Sequence, residues 1–154
     1  MMDIQLVKDA ALLLPLSRQL QQLHQHAFPH IFKAFDEKAV AEYFRGCIAD
    51  NSYRHYAAFE GNVACGYVQV QQIIRPESAF VAEYSYLHIH QLMVDVKYRQ
   101  KGVGMALIEE VFTFANEIGC SRVDLTVWNF NNVAQKLFKK AGFTEDLHRM
   151  YINL

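Results

Sequence analysis

The sequence predicts a single mixed α/β domain, and three observations carry that expectation. Segments with the two-residue alternation of strands and segments with three- and four-residue helical spacing follow one another along the chain instead of separating into halves. One long helical pattern, Gly102 to Ile118, lies between two strand-like segments, Tyr84 to Val94 and Arg122 to Trp128, which points to a parallel, right-handed crossover. The chain has 154 residues, 52% of them hydrophobic, enough for one core, and residues 1–154 fit one domain better than two.

Taken in order, Ile4 to Val7 reads as a short strand and Ala10 to Gln25 as a helix with apolar positions on one side. His24 to Phe35 is rich in histidine and aromatics, and Pro29 breaks its periodicity. Asp36 is placed to cap a second helix running to about Ile48. His55 to Glu60 and Val63 to Ile74 flank Gly61-Asn62, a hairpin turn. Strict alternation in Tyr84 to Val94 puts Tyr84, Tyr86, His88, His90, Leu92 and Val94 on one face, and Leu87, Ile89 and Met93 on the other. Apolar residues on both faces make this a central strand. Val103, Leu107, Val111, Phe114 and Ile118 form the stripe of the long helix, which Gly119 ends. Asn131 to Ala141 is a short helix closed by Gly142, and Leu147 to Asn153 is expected to be a final strand.

Composition excludes several functions. The formal charge is -1, without a basic stripe, so neither nucleic acid nor a membrane surface is an expected partner. Cys47, Cys65 and Cys120 are odd in number and contain no C-x-x-C pair, so no zinc site or disulfide framework is indicated, and a reduced, cytoplasmic setting is expected. The apolar run Ala10 to Leu16 is too short to span a bilayer and lacks the basic start of a signal peptide.

The chemistry concentrates in Lys97 to Gly104, between the long strand and the long helix. A helix N-terminus leaves four unpaired N–H groups and about half a positive charge. Gly102 and Gly104 let oxygen atoms approach the backbone, and Arg99 and Lys101 add positive charge, a combination suited to phosphate. The loop is neither a G-x-x-x-x-G-K-[ST] phosphate loop nor a G-x-G-x-x-G dinucleotide motif, since Leu107 stands at the third glycine.

Arg99-x-x-Gly102-x-Gly104 resembles the R/Q-x-x-G-x-G/A signature of the GNAT superfamily of N-acetyltransferases, and Asn131-x-x-Ala134-x-x-x-Phe138-x-x-x-Gly142-Phe143 is similar to that family's second motif. The resemblance implies a central mixed, mostly antiparallel sheet of six to seven strands with a splayed parallel pair, flanked by about four helices. It implies acetyl-CoA as cosubstrate and direct transfer of acetyl to a primary amine. Main-chain N–H groups of Gln100, Lys101, Gly102, Val103, Gly104 and Met105 would hold the diphosphate, with Arg99 adding positive charge beside them; Met93 and Val94 would offer main-chain groups to the pantetheine arm. Asn131 would bond that arm or cap its helix, and Phe138 would pack on it. A possible homodimer and an amine acceptor complete the expected partners.

The catalytic end departs from the family pattern. A lysine-like amine has a pKa of ~10.4, so deprotonating it at pH 7 costs roughly 4.6 kcal/mol. Where the family often has a carboxylate base, this chain has His90, with His88 one pleat earlier; both are also readable as packed sheet residues, His88 more so than His90. His88-x-His90 as a metal pair lacks a third ligand nearby, so no metal is expected. The family's general-acid Tyr is replaced by Phe138, leaving Tyr151 or water to protonate the thiolate, or a catalytically weak acyl-CoA-binding sensor domain as the alternative. The segment Leu23 to Phe32 would shape the acceptor pocket, Trp128 would be core or pocket wall, and Lys136, Lys139 and Lys140 a solvated helix face.

Overall fold

The computed structural model describes residues 2–154. Five strands, β1 (Asp3–Leu6), β2 (Tyr53–Glu60), β3 (Val63–Arg75), β4 (Tyr84–Val94) and β5 (Val123–Leu125), form one sheet in sequence order. The first four pair antiparallel and β5 pairs parallel to β4. Helices α1 (Leu14–Ala27), α2 (Glu37–Ala49), α3 (Val103–Glu117) and α4 (Asn132–Lys140) complete the architecture.

Each helix sits where its sequence puts it. Pro15 in the first turn of α1 lacks the N–H that an interior position would need, so residues Ala10–Leu12 form a short 3₁₀ turn and the α-helix starts at Leu14. Asp36 caps α2, its side chain accepting from Ala39 N at 3.1 Å. Gly102 adopts φ +83° ahead of α3, a left-handed conformation that costs glycine little. Asn131 caps α4 by accepting from Ala134 N at 3.1 Å.

The sheet has a core on each face. Val103, Leu107, Val111 and Ala115 of α3 pack on Ala58, Val68, Val70, Leu87 and Ile89. On the other face Leu16 of α1 and Phe44 of α2 pack on Ala57, Tyr67 and Met93. Gly66 of β3 marks the tightest junction between sheet and helix. A Cβ there would lie 3.0 Å from both Met93 O and Val103 Cγ1, so β3, β4 and the start of α3 close on a position with no side chain.

Three expectations are corrected. The sheet has five strands, not six to seven, because Leu147 to Asn153 forms no strand within its own chain; Leu147, Met150, Tyr151, Ile152 and Leu154 are all at least 81% exposed. The strand expected from Arg122 to Trp128 pairs only over Val123–Leu125, after which the chain leaves the sheet. Strict alternation in β4 fails as well. Gln69 opposes Gln91 and Val70 opposes Ile89, so His90 is an extra residue without an opposite number on β3. One inserted residue reverses the facing of everything beyond it. Leu92 and Val94 therefore join Leu87 and Ile89 over the α3 core, while Met93 alone turns to the α1 and α2 side.

Gly66→Ala is expected to lower the unfolding free energy by about 1–3 kcal/mol, because the backbone carbonyl of Met93 cannot move aside as a side-chain tip would. Urea denaturation of the two proteins at neutral pH measures it.

Candidate active site

Backbone pairing between β4 and β5 covers Leu87↔Val123, His88↔Asp124 and Ile89↔Leu125. Beyond Ile89 the strands part, and a cleft opens that is lined by His90, Gln91 and Leu92 on one side and Leu125, Thr126, Val127 and Trp128 on the other. Asn131, Ala134 and Phe138 of the α4 segment close one end, and Leu20 and His24 of α1 contribute a wall.

The loop after β4 approaches this gap. Asp95 ends the strand by accepting from Lys97 N at 2.8 Å, an interaction that holds its carboxyl below the usual carboxylate range. Gln100 and Gly102 both have positive φ, +62° and +83°. Among the described residues, no protein acceptor meets the main-chain N–H groups from Arg99 to Met105, and the first helical bond is Ala106 N to Gly102 O at 3.0 Å. Seven consecutive donors at a helix N-terminus form a ready anion site. The side chains around them are already engaged. Arg99 Nε donates to Val94 O at 3.3 Å, Lys101 Nζ lies 5.0 Å over the Tyr98 ring, and Val103 is core. The loop therefore offers an anion its backbone donors beside the charges of Arg99 and Lys101. Gly104 lets α4 close in, since a Cβ there would meet Leu137 Cδ2 at 2.7 Å.

His90, the bulged residue, has its protonation pattern set by its neighbours. Gln71 Nε2 donates to Ser52 Oγ at 3.2 Å, which turns Gln71 Oε1 toward His90 Nε2 at 2.8 Å. The neutral ring thus donates from Nε2 and keeps Nδ1 as a free acceptor. Tyr53 stacks on the ring at 5.5 Å. Desolvation, then the neighbouring His88, lower the pKa of His90, and Asp124 opposes them. His88 Nδ1 donates to Asp124 Oδ1 at 2.7 Å, and the His88 and His90 rings are 4.7 Å apart. Asp124, His88 and His90 form a chain leading to the cleft wall.

A buried polar network lies behind this chain. Tyr43 OH donates to Gln69 Oε1 at 3.1 Å, so the Gln69 amide donates to His55 Nε2 at 3.0 Å. His55 is 1% exposed, and burial, with help from His90, drives its pKa down to about 4. A proton on Nε2 would face the Gln69 amide donor, so the native state holds His55 neutral.

Three of the catalytic and cofactor residues expected from sequence line this cleft, and the others lie elsewhere. His90, Asn131 and Phe138 line the cleft, and Phe138 is 8% exposed with its ring packed edge-on to Phe143 at 5.7 Å. Asn131 spends Oδ1 on its helix cap and keeps its amide donors. Met93 and Val94 lie on the strand leading out of the cleft, the Met93 side chain in the core and the Val94 carbonyl engaged by Arg99. Tyr151 is 81% exposed in the C-terminal arm and does not line the cleft. The histidine-rich segment and Trp128 form an aromatic mouth, with Phe28 and Phe32 within 5.6 Å of the Trp128 ring and Phe130 beside them. No group of three potential metal ligands assembles among the described residues.

Asp124, Gln71 and Phe130 were not anticipated. Asp124 was within reach of the sequence, because a parallel crossover that pairs Leu87 with Val123 brings Asp124 beside His88. Gln71 depends on the β3–β4 register across the bulge, which the sequence does not spell out.

The family model described as acetyltransferase (GNAT) family matches residues 17–143. N-alpha-acetyltransferase 30 of Xenopus laevis is 38% identical over 68 residues, 43% of this chain and 25% of that protein. The chain spans between 19% and 50% of the length of the curated relatives it matches. Among solved structures, a tetramutant of the BH1408 protein from Bacillus halodurans has a TM-score of 0.93 at 17% identity, covering 99% of this chain and 100% of that one. A predicted acetyltransferase with acetyl-CoA from Clostridium acetobutylicum has a TM-score of 0.75 at 20% identity, covering 99% and 96%.

The His55 environment sets a pH dependence of stability. Its folded pKa lies below the unfolded value, so the unfolded state binds more protons and stability is lost as pH falls from about 6.5 toward 4. Between pH 7 and pH 4 this group should remove about 2–3 kcal/mol. Urea unfolding at both pH values should show His55→Gln losing that part of the dependence.

Proposed function

Because the chain belongs to the acetyltransferase (GNAT) family, with acetyl-CoA as cosubstrate, we propose that it moves acetyl from acetyl-CoA to a primary amine by direct attack. The observation that carries this reading is the run of free N–H groups from Arg99 to Met105 at the exit of the β4–β5 gap. Those donors would hold the diphosphate, and the pantetheine arm would enter the gap past Met93, Val94 and Asn131 with Phe138 against it.

The neutral amine attacks the thioester carbonyl, the carbon–sulfur bond breaks, and coenzyme A leaves as a thiolate. The amine proton passes to His90 Nδ1, directly or through one water. A His90 pKa below the ordinary histidine value keeps that nitrogen unprotonated at neutral pH. The Asp124–His88 pair stands behind it and offsets the positive charge that the reaction places on His90. Phe138 supplies no proton, and a thiolate leaves without needing one.

Phe138 also supports a second reading, a catalytically weak acyl-CoA-binding sensor. Coenzyme release across a panel of peptide N-termini, amino acids and small amines separates the two. Acetyl-CoA binding without release of free thiol above the uncatalysed rate would favour the sensor and remove the enzyme reading.

Two further outcomes are expected. Saturating acetyl-CoA raises Tm by several degrees, and Gly102→Val, which strains a left-handed position, weakens its binding about tenfold or more by calorimetry. In kinetics, His90→Gln lowers kcat at pH 7 by about 10²-fold and His88→Gln by less. The acid limb of kcat/KM falls below the ordinary histidine range. Asp124→Asn shifts that limb to lower pH, since the Asp124 charge raises the His90 pKa. Equal, negligible losses in both histidine variants would remove His90 from the mechanism.

A further inference from the structure

The walls of the cleft differ in charge from the rest of the chain. Charged residues make up 20% of the sequence, yet among the described residues no Asp, Glu, Lys or Arg lines the cleft. Asp124, next in sequence to the lining residue Leu125, turns its carboxylate to His88. The polar side chains on the walls are His24, His90, Gln91, Thr126 and Asn131. His24 Nδ1 donates to Leu20 O at 2.9 Å, so that ring keeps Nε2 as an acceptor.

The mouth is aromatic. Around the Trp128 ring stand Phe28 at 5.1 Å, Phe32 at 5.6 Å and Phe130 at 6.4 Å, and His24 packs on Phe32 at 4.9 Å and on Phe130 at 5.8 Å. These rings come from two stretches, His24 to Phe32 and Trp128 to Phe130, so the end of α1 and the segment before α4 meet ring to ring at the cleft. A cluster that only joined the two segments would bury its largest ring. Trp128 lines the cleft and stays 41% exposed, braced by neighbours that leave it little freedom to turn. A rigid aromatic wall left open to a cleft gains free energy when a flat apolar group covers it.

We infer that the acceptor is a primary amine carried on an uncharged aromatic body, its ring against Trp128 and its nitrogen toward His90. The inference rests on the acetyltransfer reading and adds the class of acceptor to it. A free amino acid would bring a carboxylate into a cleft whose walls hold no Lys or Arg to meet it, and a polyamine or aminoglycoside would bring further ammonium groups without a carboxylate to pair them. Burying such unpaired charges is costly. The reacting nitrogen benefits from the same walls. A carboxylate beside it would favour the ammonium form, whereas uncharged walls favour the neutral amine that attacks. Two sources share this chemistry, a small arylalkylamine and the N-terminus of a peptide whose first residue is aromatic.

Trp128 is the single tryptophan of the chain, so its emission reports occupancy of the mouth without any turnover. The full chain is titrated, with and without saturating coenzyme A, with 2-phenylethylamine, phenylalaninamide, phenylalanine, butylamine and spermidine. At least one of the first two should saturate the emission change with a Kd below about 1 mM, and the other three should need at least about tenfold more. The tighter of the first two tells a small arylalkylamine from a peptide N-terminus. Thr126→Asp adds a carboxylate to an exposed lining position and should shift relative affinity at least about tenfold toward spermidine. Equal or tighter binding of phenylalanine or spermidine by the wild type, an unchanged ratio in Thr126→Asp, or no emission change with either aromatic amine up to about 10 mM would overturn the proposal. Thiol release from acetyl-CoA with the same amines tests the activity separately. Release with spermidine alone keeps acetyl transfer and overturns the aromatic acceptor; an emission change without release keeps aromatic-amine binding and removes the transfer.

Discussion

Backbone N–H and C=O groups that leave a hydrogen-bonded ladder must meet water or another partner. In this chain β4 leaves its ladder with β5 after Ile89, while staying paired to β3 as far as Val94. The candidate site depends on that mismatch. One edge of β4 stays fixed by β3 and the other is released for five residues, so the strand is at once held and open. The extra residue at His90 coincides with the point of release, and it places an imidazole where a regular pleat would have turned its neighbours differently.

The surrounding structure holds this arrangement from both faces. Gly66 lets β3 and β4 approach α3 closely enough for Val103 and Leu107 to seal the α3 side. On the opposite face Tyr43, Gln69 and His55 satisfy one another in a buried chain, and Tyr53 carries stacking contacts from His55 to His90. Buried polar chains of this kind have few alternative arrangements, because each partner's orientation fixes the next. The tautomer of His90 itself is set by Gln71, whose amide is oriented by Ser52.

The loop after β4 and the start of α4 were legible in the sequence because their signals are local. A helix N-terminus, two glycines and a cap at Asn131 each act within a few residues, and all appear where expected. The strand ladder was less legible because register is a property of two segments. Alternation alone put Leu92 with His90. The spacing of the apolar residues, Leu87 and Ile89 followed by Leu92 and Val94, already contains the one-residue slip that the bulge resolves. The final strand was predicted from a pattern that does exist; what its own chain lacks is a pairing partner for it. Asp124 is illegible in sequence for a related reason, since its significance comes from standing opposite His88 rather than from its own neighbours in sequence.

The replacement of tyrosine by Phe138 fits this distribution of polar groups. Phe138 packs edge-on to Phe143 and lines a cleft that includes Leu92, Leu125, Val127 and Trp128 as well as Asn131, so it adds apolar surface where a tyrosine would add a hydroxyl. On the β4 side the titratable groups accumulate as His90, His88 and Asp124. In the proposed reaction the costly proton is the one on the amine, whose deprotonation at neutral pH takes roughly 4.6 kcal/mol, whereas a thiol-derived leaving group with pKa near ~8.5 departs as an anion with little assistance. In that reaction the proton acceptors on β4 would serve the harder of the two proton transfers, and Phe138 would leave the easier one unassisted.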